Sequence, residues 1–258
     1  MAQQYQSGKQ SVMYFTTKNA YSKDGKSSAT FQLNDPLILD SNKNYDICLL
    51  EFSMYNVIPN IITGVNNIFL YSYNAVNFEI VFDQGLYGIQ QIIDVISNET
   101  QEQTGLADLF DWYPDVSTSF LWVRFPHLGT TIRGNVAGSI TDILGLGHVT
   151  ITTTGINDWH KGIQQVKLNS QDSLRLHCDL VSRGSITDGR LEDVIQIINI
   201  TASAGSRNLT RPQFLQPCKV TNSHINKITF SLTDELNKPL EYFSTSEDYD
   251  IQLLLIEY

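Results

Sequence analysis

The chain has 258 residues, of which 41% are hydrophobic and 10% aromatic, while charged side chains make up only 17%. That apolar content excludes an intrinsically disordered protein, and a formal net charge of −10 argues against nucleic-acid binding through a general basic surface. Polarity is supplied instead by 22 Ser, 21 Thr and 19 Asn, and replacing Lys and Glu by such residues disfavours a mostly helical protein.

Residues 1–10 (MAQQYQSGKQ) are polar and read as a flexible N-terminal arm without the apolar core of a secretory signal. Strands are expected over 12–17, 29–33, 45–52, 67–73 and 76–82. In the last of these Val76, Phe78, Ile80 and Phe82 share one face by period-2 alternation. Ile89, Ile92, Ile93 and Ile96 then follow the spacing of an amphipathic helix, predicted over 87–98. Further strands are expected over 119–125, 149–153 and 163–168. Between the first two, 139–144 (SITDIL) reads as a helical turn capped by Ser139 and stopped by Gly145. In 174–180 Leu174, Leu176, Cys178 and Leu180 alternate with Arg175, His177 and Asp179; 193–200, 228–233 and 249–257 complete the set. Residues 45–52 and 249–257 are apolar on both faces, as strands central to a two-layer core would be. Asp24-Gly25 and Asp188-Gly189 are turn dipeptides. About eleven short strands with little helix predict an all-β fold, a single jelly-roll β-sandwich. The expected organisation is an arm over 1–28 with a first strand, then one domain over 29–258 in which 99–138 is an insertion or subdomain.

Signatures of chemistry are sparse. No phosphate-binding loop, nucleophile elbow or zinc-protease motif is present. Gly145-Leu-Gly147 reads as a helix stop and tight turn rather than a dinucleotide loop. His127, His148, His160, His177 and His224 form no H-x-H pair of the kind a jelly-roll metal site uses, and His177 reads as solvent-facing or hydrogen-bonded. Cys48, Cys178 and Cys218 are odd in number and widely spaced, so neither a disulfide framework nor a zinc site is expected, and a reducing compartment fits. No cofactor and no metal are expected. No apolar run is long enough to span a bilayer. Asp108, Asp111 and Asp115 around Trp112-Tyr113-Pro114 form an acidic-aromatic segment that could line a calcium or sugar pocket; solvated loop carboxylates are the simpler reading. Charge is uneven: residues 1–30 carry a net +3 and residues 232–258 a net −6.

The order of motifs is more specific than any one of them. Residues 174–185 (LRLHCDLVSRGS) run from a strand into a turn, and 225–234 (INKITFSLTD), 237–240 (NKPL) and a closing apolar strand at 251–256 (IQLLLI) follow. Upstream stand 30–37 (TFQLNDPL), 45–52 (YDICLLEF), 57–60 (VIPN), 85–87 (GLY) and 143–147 (ILGLG). This order resembles the penton, or minor capsid, proteins of virophages, polinton-like viruses and related double jelly-roll-lineage DNA viruses. Two positions depart from the pattern: Asn237 stands where the family more often has Gly, and Leu146 where it has an aromatic. Residues 99–138 match nothing in it.

The resemblance implies a structural, non-catalytic capsid protein. Five copies would close a homopentameric ring at each fivefold vertex of the virion, among trimers of a double jelly-roll major capsid protein. The protein would be made and folded in the host cytoplasm or a virus factory. On this reading the basic arm at 1–30 would run under a neighbouring copy while the acidic C-terminal segment stays on its own subunit. Two other readings stand beside it: a carbohydrate- or receptor-binding module using loops such as 105–116, and an enzyme on a jelly-roll scaffold. No subunit-interface residue can be assigned from the sequence.

Overall fold

The computed structural model describes residues 9–24, 27–153, 155–168, 171–181, 185–187, 190–203, 205–240 and 248–258. Residues 1–8 of the arm, Gly25 and the Asp188-Gly189 turn lie outside the described residues. The chain first lays down strands β1 (Gln10–Thr16), β2 (Ser22–Asp24), β3 (Ser28–Ile38) and β4 (Tyr45–Tyr55). A middle stretch forms β5 (Ile68–Tyr73), β6 (Val76–Val81), helix α1 (Ile89–Thr104), β7 (Asp111–Asp115), β8 (Phe120–Arg124), β9 (Thr130–Arg133), β10 (Thr150–Thr152) and β11 (Trp159–Lys161). The remainder supplies β12 (Ser173–Cys178), β13 (Ser185–Thr187), β14 (Arg190–Glu192), β15 (Val194–Asn199), β16 (Arg207–Thr210), β17 (Cys218–Lys219), β18 (His224–Thr233) and β19 (Tyr249–Glu257). Two compact units result, one made of Met1–Val57 with Gln171–Tyr258, the other of Ile58–Ser170.

The first unit is a sandwich of two antiparallel sheets. One has the order β1-β19-β4-β16, with β17 also on β4; the other has the order β15-β12-β18-β3-β2. Consecutive strands change sheets, from β3 to β4, β15 to β16, β17 to β18 and β18 to β19. That winding is a jelly roll. Its layers meet through phenylalanines: Phe15 on β1 lies 5.2 Å, centroid to centroid, from both Phe31 on β3 and Phe230 on β18. Such tilted pairs add about 0.5–1.5 kcal/mol each to the apolar burial. Ile47, Leu49, Phe52, Ile251 and Leu253 line the same interior. Strands β4 and β19 are indeed the inner pair of their sheet, and their opposite face carries a second buried cluster of Cys48, Leu254 and Ile256. That is why these two strands read as apolar on both faces.

The basic and acidic ends meet within one chain. β1 pairs along its whole length with β19, and Lys23 reaches Asp248 at 2.7 Å. Lys43 likewise pairs with Glu257 at 2.5 Å. The stretch 10–24 is therefore fastened to its own C-terminal strand instead of being free to leave it.

The second unit has a four-stranded sheet, order β10-β9-β5-β6, and a three-stranded sheet, order β11-β8-β7. Helix α1 contributes Ile92, Ile93 and Ile96 to a core shared with Phe69, Tyr71, Phe110, Leu121, Val123 and Phe125. The helix runs six residues beyond the predicted end at 98. Its last turns, Asn98 to Thr104, carry no apolar repeat for the pattern to register; Gln103 instead accepts from the Tyr71 hydroxyl (2.8 Å) and donates to the Glu79 carbonyl (3.0 Å). Gly105, at φ +78°, ends it in the left-handed conformation. The Ser139 turn forms as read, with Ser139 Oγ accepting from Thr141 N, and Gly145 and Gly147 both lie at φ +73°.

Asn60 fixes the unit's connections. Buried to 1% exposure, its side chain donates to the carbonyls of Tyr87 (2.7 Å) and Leu168 (2.9 Å) and accepts from Tyr87 N (2.9 Å). The expected strand over 163–168 is corrected: that segment is irregular. Its amides donate to carbonyls from two loops, Gln164 to Gly145 and Lys167 to Ile143 in one and Val166 to Ser119 in the other, so no single ladder forms although Val166 and Leu168 still pack on the core.

Candidate functional site

The acidic-aromatic segment becomes strand β7 at the edge of the three-stranded sheet, where Pro114 is tolerated because an edge strand leaves amides unpaired. Its members part company. Trp112 turns inward against Phe69 and Phe110, and its indole nitrogen has no hydrogen-bond partner among the described residues. Asp108, before the strand, pairs with His127 at 3.0 Å, which holds its carboxyl below the usual range. Asp115 accepts from the hydroxyls of Ser117 and Thr118 (2.6 Å each), which lower its pKa while fixing the turn into β8. The three carboxylates form no calcium cage.

Alternation across this small sheet separates two faces. Trp112, Val123 and His160 are opposite one another in register, and Val123 belongs to the core. The outward residues are then Asp111, Tyr113 and Asp115 on β7, Phe120, Trp122 and Arg124 on β8, and Trp159 and Lys161 on β11. Four of these eight are aromatic. Arg124 Nε donates to Asp111 Oδ2 at 2.8 Å, and a terminal nitrogen of the same guanidinium reaches that oxygen as well. The guanidinium carbon lies 5.2 Å from the Trp159 ring centre. Lys161 Nζ sits 4.0 Å from the Phe120 ring centre and 5.7 Å from that of Trp122. Tyr113 and Trp159 meet edge-to-face across β8 at 6.4 Å, and they are 57% and 45% exposed. The sequence reading picked out Tyr113 but missed Trp122, Trp159, Arg124 and Lys161. The alternation of Phe120, Trp122 and Arg124 is legible in 119–125; pairing with the three-residue β11 is not.

At the Asp115–Phe120 end, the face adjoins a hollow of about 390 Å³ walled by Ile89, Val116, Phe120, Val166 and Leu168. That volume falls within the range of small-ligand pockets.

His148 meets Asp142 at 3.1 Å, and His160 packs its ring on Phe125. In the sandwich, His177 is hydrogen-bonded, one of its two sequence readings: Nδ1 lies 2.6 Å from Asp193 Oδ1 and Nε2 lies 2.9 Å from Thr233 Oγ1. Hydroxyl, imidazole and carboxylate stand in the order of a nucleophilic relay, but His177 is 8% and Thr233 9% exposed, so the hydroxyl lacks open approach. The contacts tie β12 to β18 and to the start of β15. Among the described residues no group of three His, Cys, Asp or Glu could hold a metal ion. All three cysteines are buried; burial pushes the thiols of Cys48 and Cys218 up to about 11 and that of Cys178 further up. Among the described residues no helix is long and apolar enough to cross a membrane.

Asn237 occupies a turn that demands a left-handed residue. It lies at φ +61°, in the left-handed region where Gly costs nothing and Asn is the next best residue. Asp234 Oδ1 accepts from Leu236 N and Lys238 N, closing the turn.

The fold defines an all-β jelly-roll protein with a second β unit inserted between β4 and β12 in the sequence. No protein-family model and no curated protein sequence matches the chain. Among solved structures it is similar to the mavirus penton protein, with a TM-score of 0.57 and 10% sequence identity over 97% of this chain and 100% of that one. At that identity the likeness is one of fold.

Proposed function

We propose that this protein is a structural capsid component that forms homopentameric pentons at the fivefold vertices of an icosahedral DNA virus, without catalytic activity. The observation that carries the reading is the end-to-end fold likeness to a virophage penton protein, which spans the inserted unit as well as the jelly roll. The motif order over 30–60 and 174–256 points the same way independently of the structure. The jelly roll of 1–57 and 171–258 is the natural shell-forming part. A fivefold ring is made by heterologous contacts, one face of each copy meeting a different face of the next, and neutral Ser, Thr and Asn surfaces avoid the desolvation cost of burying Lys or Glu there. Trimers of a double jelly-roll capsid protein are the expected neighbours in the virion.

Native mass spectrometry and negative-stain images of the purified full-length protein test the first part. Pentamers or fivefold rings at raised concentration are expected. Co-expression with the double jelly-roll protein from the same genome should then place the chain in closed particles. A monomer or trimer at every concentration, together with exclusion from such particles, would overturn the reading.

A further inference from the structure

We propose that the outward face of β7, β8 and β11, with its adjoining hollow, is a binding site for neutral oligosaccharides. Its chemistry fits a sugar in three respects. Tyr113, Trp122 and Trp159 offer aromatic surface for the apolar C–H faces of pyranose rings, and Phe120 forms both the end of this row and a wall of the hollow. Asp111, Asp115, Arg124 and Lys161 lie between the rings and can exchange hydrogen bonds with hydroxyls. The cations also fix the rings: Arg124 stands over Trp159 while held by Asp111, and Lys161 over Phe120. The platform is therefore organised before a ligand arrives, which limits the entropy lost on binding.

Charge excludes the main competitors. The face carries two carboxylates and two cations, a net of zero, and the unit around it has ten acidic residues against four basic ones. A polyanion such as single-stranded nucleic acid or a sulfated glycan would need free cations in excess. Size disfavours a protein partner. Five residues along a strand give roughly 17 Å and two strand spacings about 10 Å, a footprint of about 170 Å² against the ~800 Å² per partner of a specific protein interface. Covering the Arg124–Asp111 pair with protein would also cost its hydration, whereas sugar hydroxyls replace water group for group.

The inference does not rest on the capsid reading, and its test is separate from oligomerisation. The full-length protein is titrated with cellotetraose, chitotetraose, mannotetraose and lacto-N-tetraose, followed by saturation-transfer NMR and tryptophan fluorescence, with a heparin hexasaccharide as the acidic control. At least one neutral sugar should bind at millimolar or lower concentration, and Trp159→Ala and Phe120→Ala should each weaken it about tenfold, the loss of a stacking contact. Trp159→Phe should restore most of the affinity, which separates stacking from a folding defect. Absence of neutral-sugar binding, binding unchanged in both alanine variants, or preference for heparin would each overturn the site. So would loss of self-association in Trp159→Ala with no sugar bound, which would make the face a protein contact.

Discussion

The two units of this chain solve the problem of β-sheet stability differently. The jelly roll relies on length: β3 and β4 have eleven residues each, β18 ten and β19 nine, and long ladders are closed by a phenylalanine cluster between the sheets. The inserted unit has strands of three to six residues. It compensates with a helix, a core crowded with aromatic rings and asparagines that bond directly to loop carbonyls, Asn60 above all. Short strands fixed by polar clamps leave their outer face free to carry specialised chemistry, and the aromatic sheet face lies in this unit.

The chain provides its own probes for this contrast. Trp112, Trp122 and Trp159 all lie in the inserted unit, whereas Cys48, Cys178 and Cys218 all lie in the jelly roll. The largest effect is expected from Phe230→Ala, which removes the ring that Phe15 and Phe31 pack against and should cost about 3–5 kcal/mol. In urea titrations the far-UV circular dichroism midpoint should fall well below its wild-type value while the tryptophan transition moves less. Equal shifts in both signals would show the units unfolding as one and break the contrast. Asn60→Ala should do the reverse, lowering the tryptophan-reported stability by roughly 2–3 kcal/mol because the half-buried backbone groups of Tyr87 and Leu168 lose the partner that the buried Asn60 side chain gives them. An unchanged tryptophan midpoint would show that the clamp is dispensable.

The smallest effect is pH-dependent. Raised thiol pKa values favour the protonated form in the folded jelly roll, so their contribution is complete below the unfolded value near 8.5 and is lost as pH rises towards 11. Stability followed by circular dichroism should decline from pH 8 to pH 10 more than stability followed by tryptophan. At pH 8 the native thiols should react with a disulfide reagent roughly a hundredfold more slowly than in the unfolded chain. Fast labelling of the folded protein would contradict their burial.

Most long strands were legible because one face of each is buried and alternation survives in the letters: β12, β18 and β6 formed within the expected stretches, with Leu174, Leu176, Cys178, Ile228, Phe230, Leu232 and Ile80 inside, whereas Val76 at the start of β6 is exposed and Leu180 lies in the turn after β12. Strands β2, β11, β16 and β17 were not, since two to four residues give no period to read and their pairing is dictated by the neighbour's edge. The same limit hid the candidate site. Phe120, Trp122 and Arg124 alternate visibly, but Trp159 and Lys161 join them only through pairing across some 35 residues of chain. Trp112, at the centre of the acidic-aromatic segment, is turned into the core because its register partner Val123 faces inward.

The sequence by itself determined the all-β class, the positions of most long strands and the amphipathic helix, because these follow from local periodicity. Only the tertiary structure decided that 58–170 forms a unit of its own, that the N-terminal strand β1 pairs with the C-terminal β19, and which aromatics share an outer face. Those outcomes depend on pairing between segments far apart in the chain, and no local pattern encodes which edge a short strand will find.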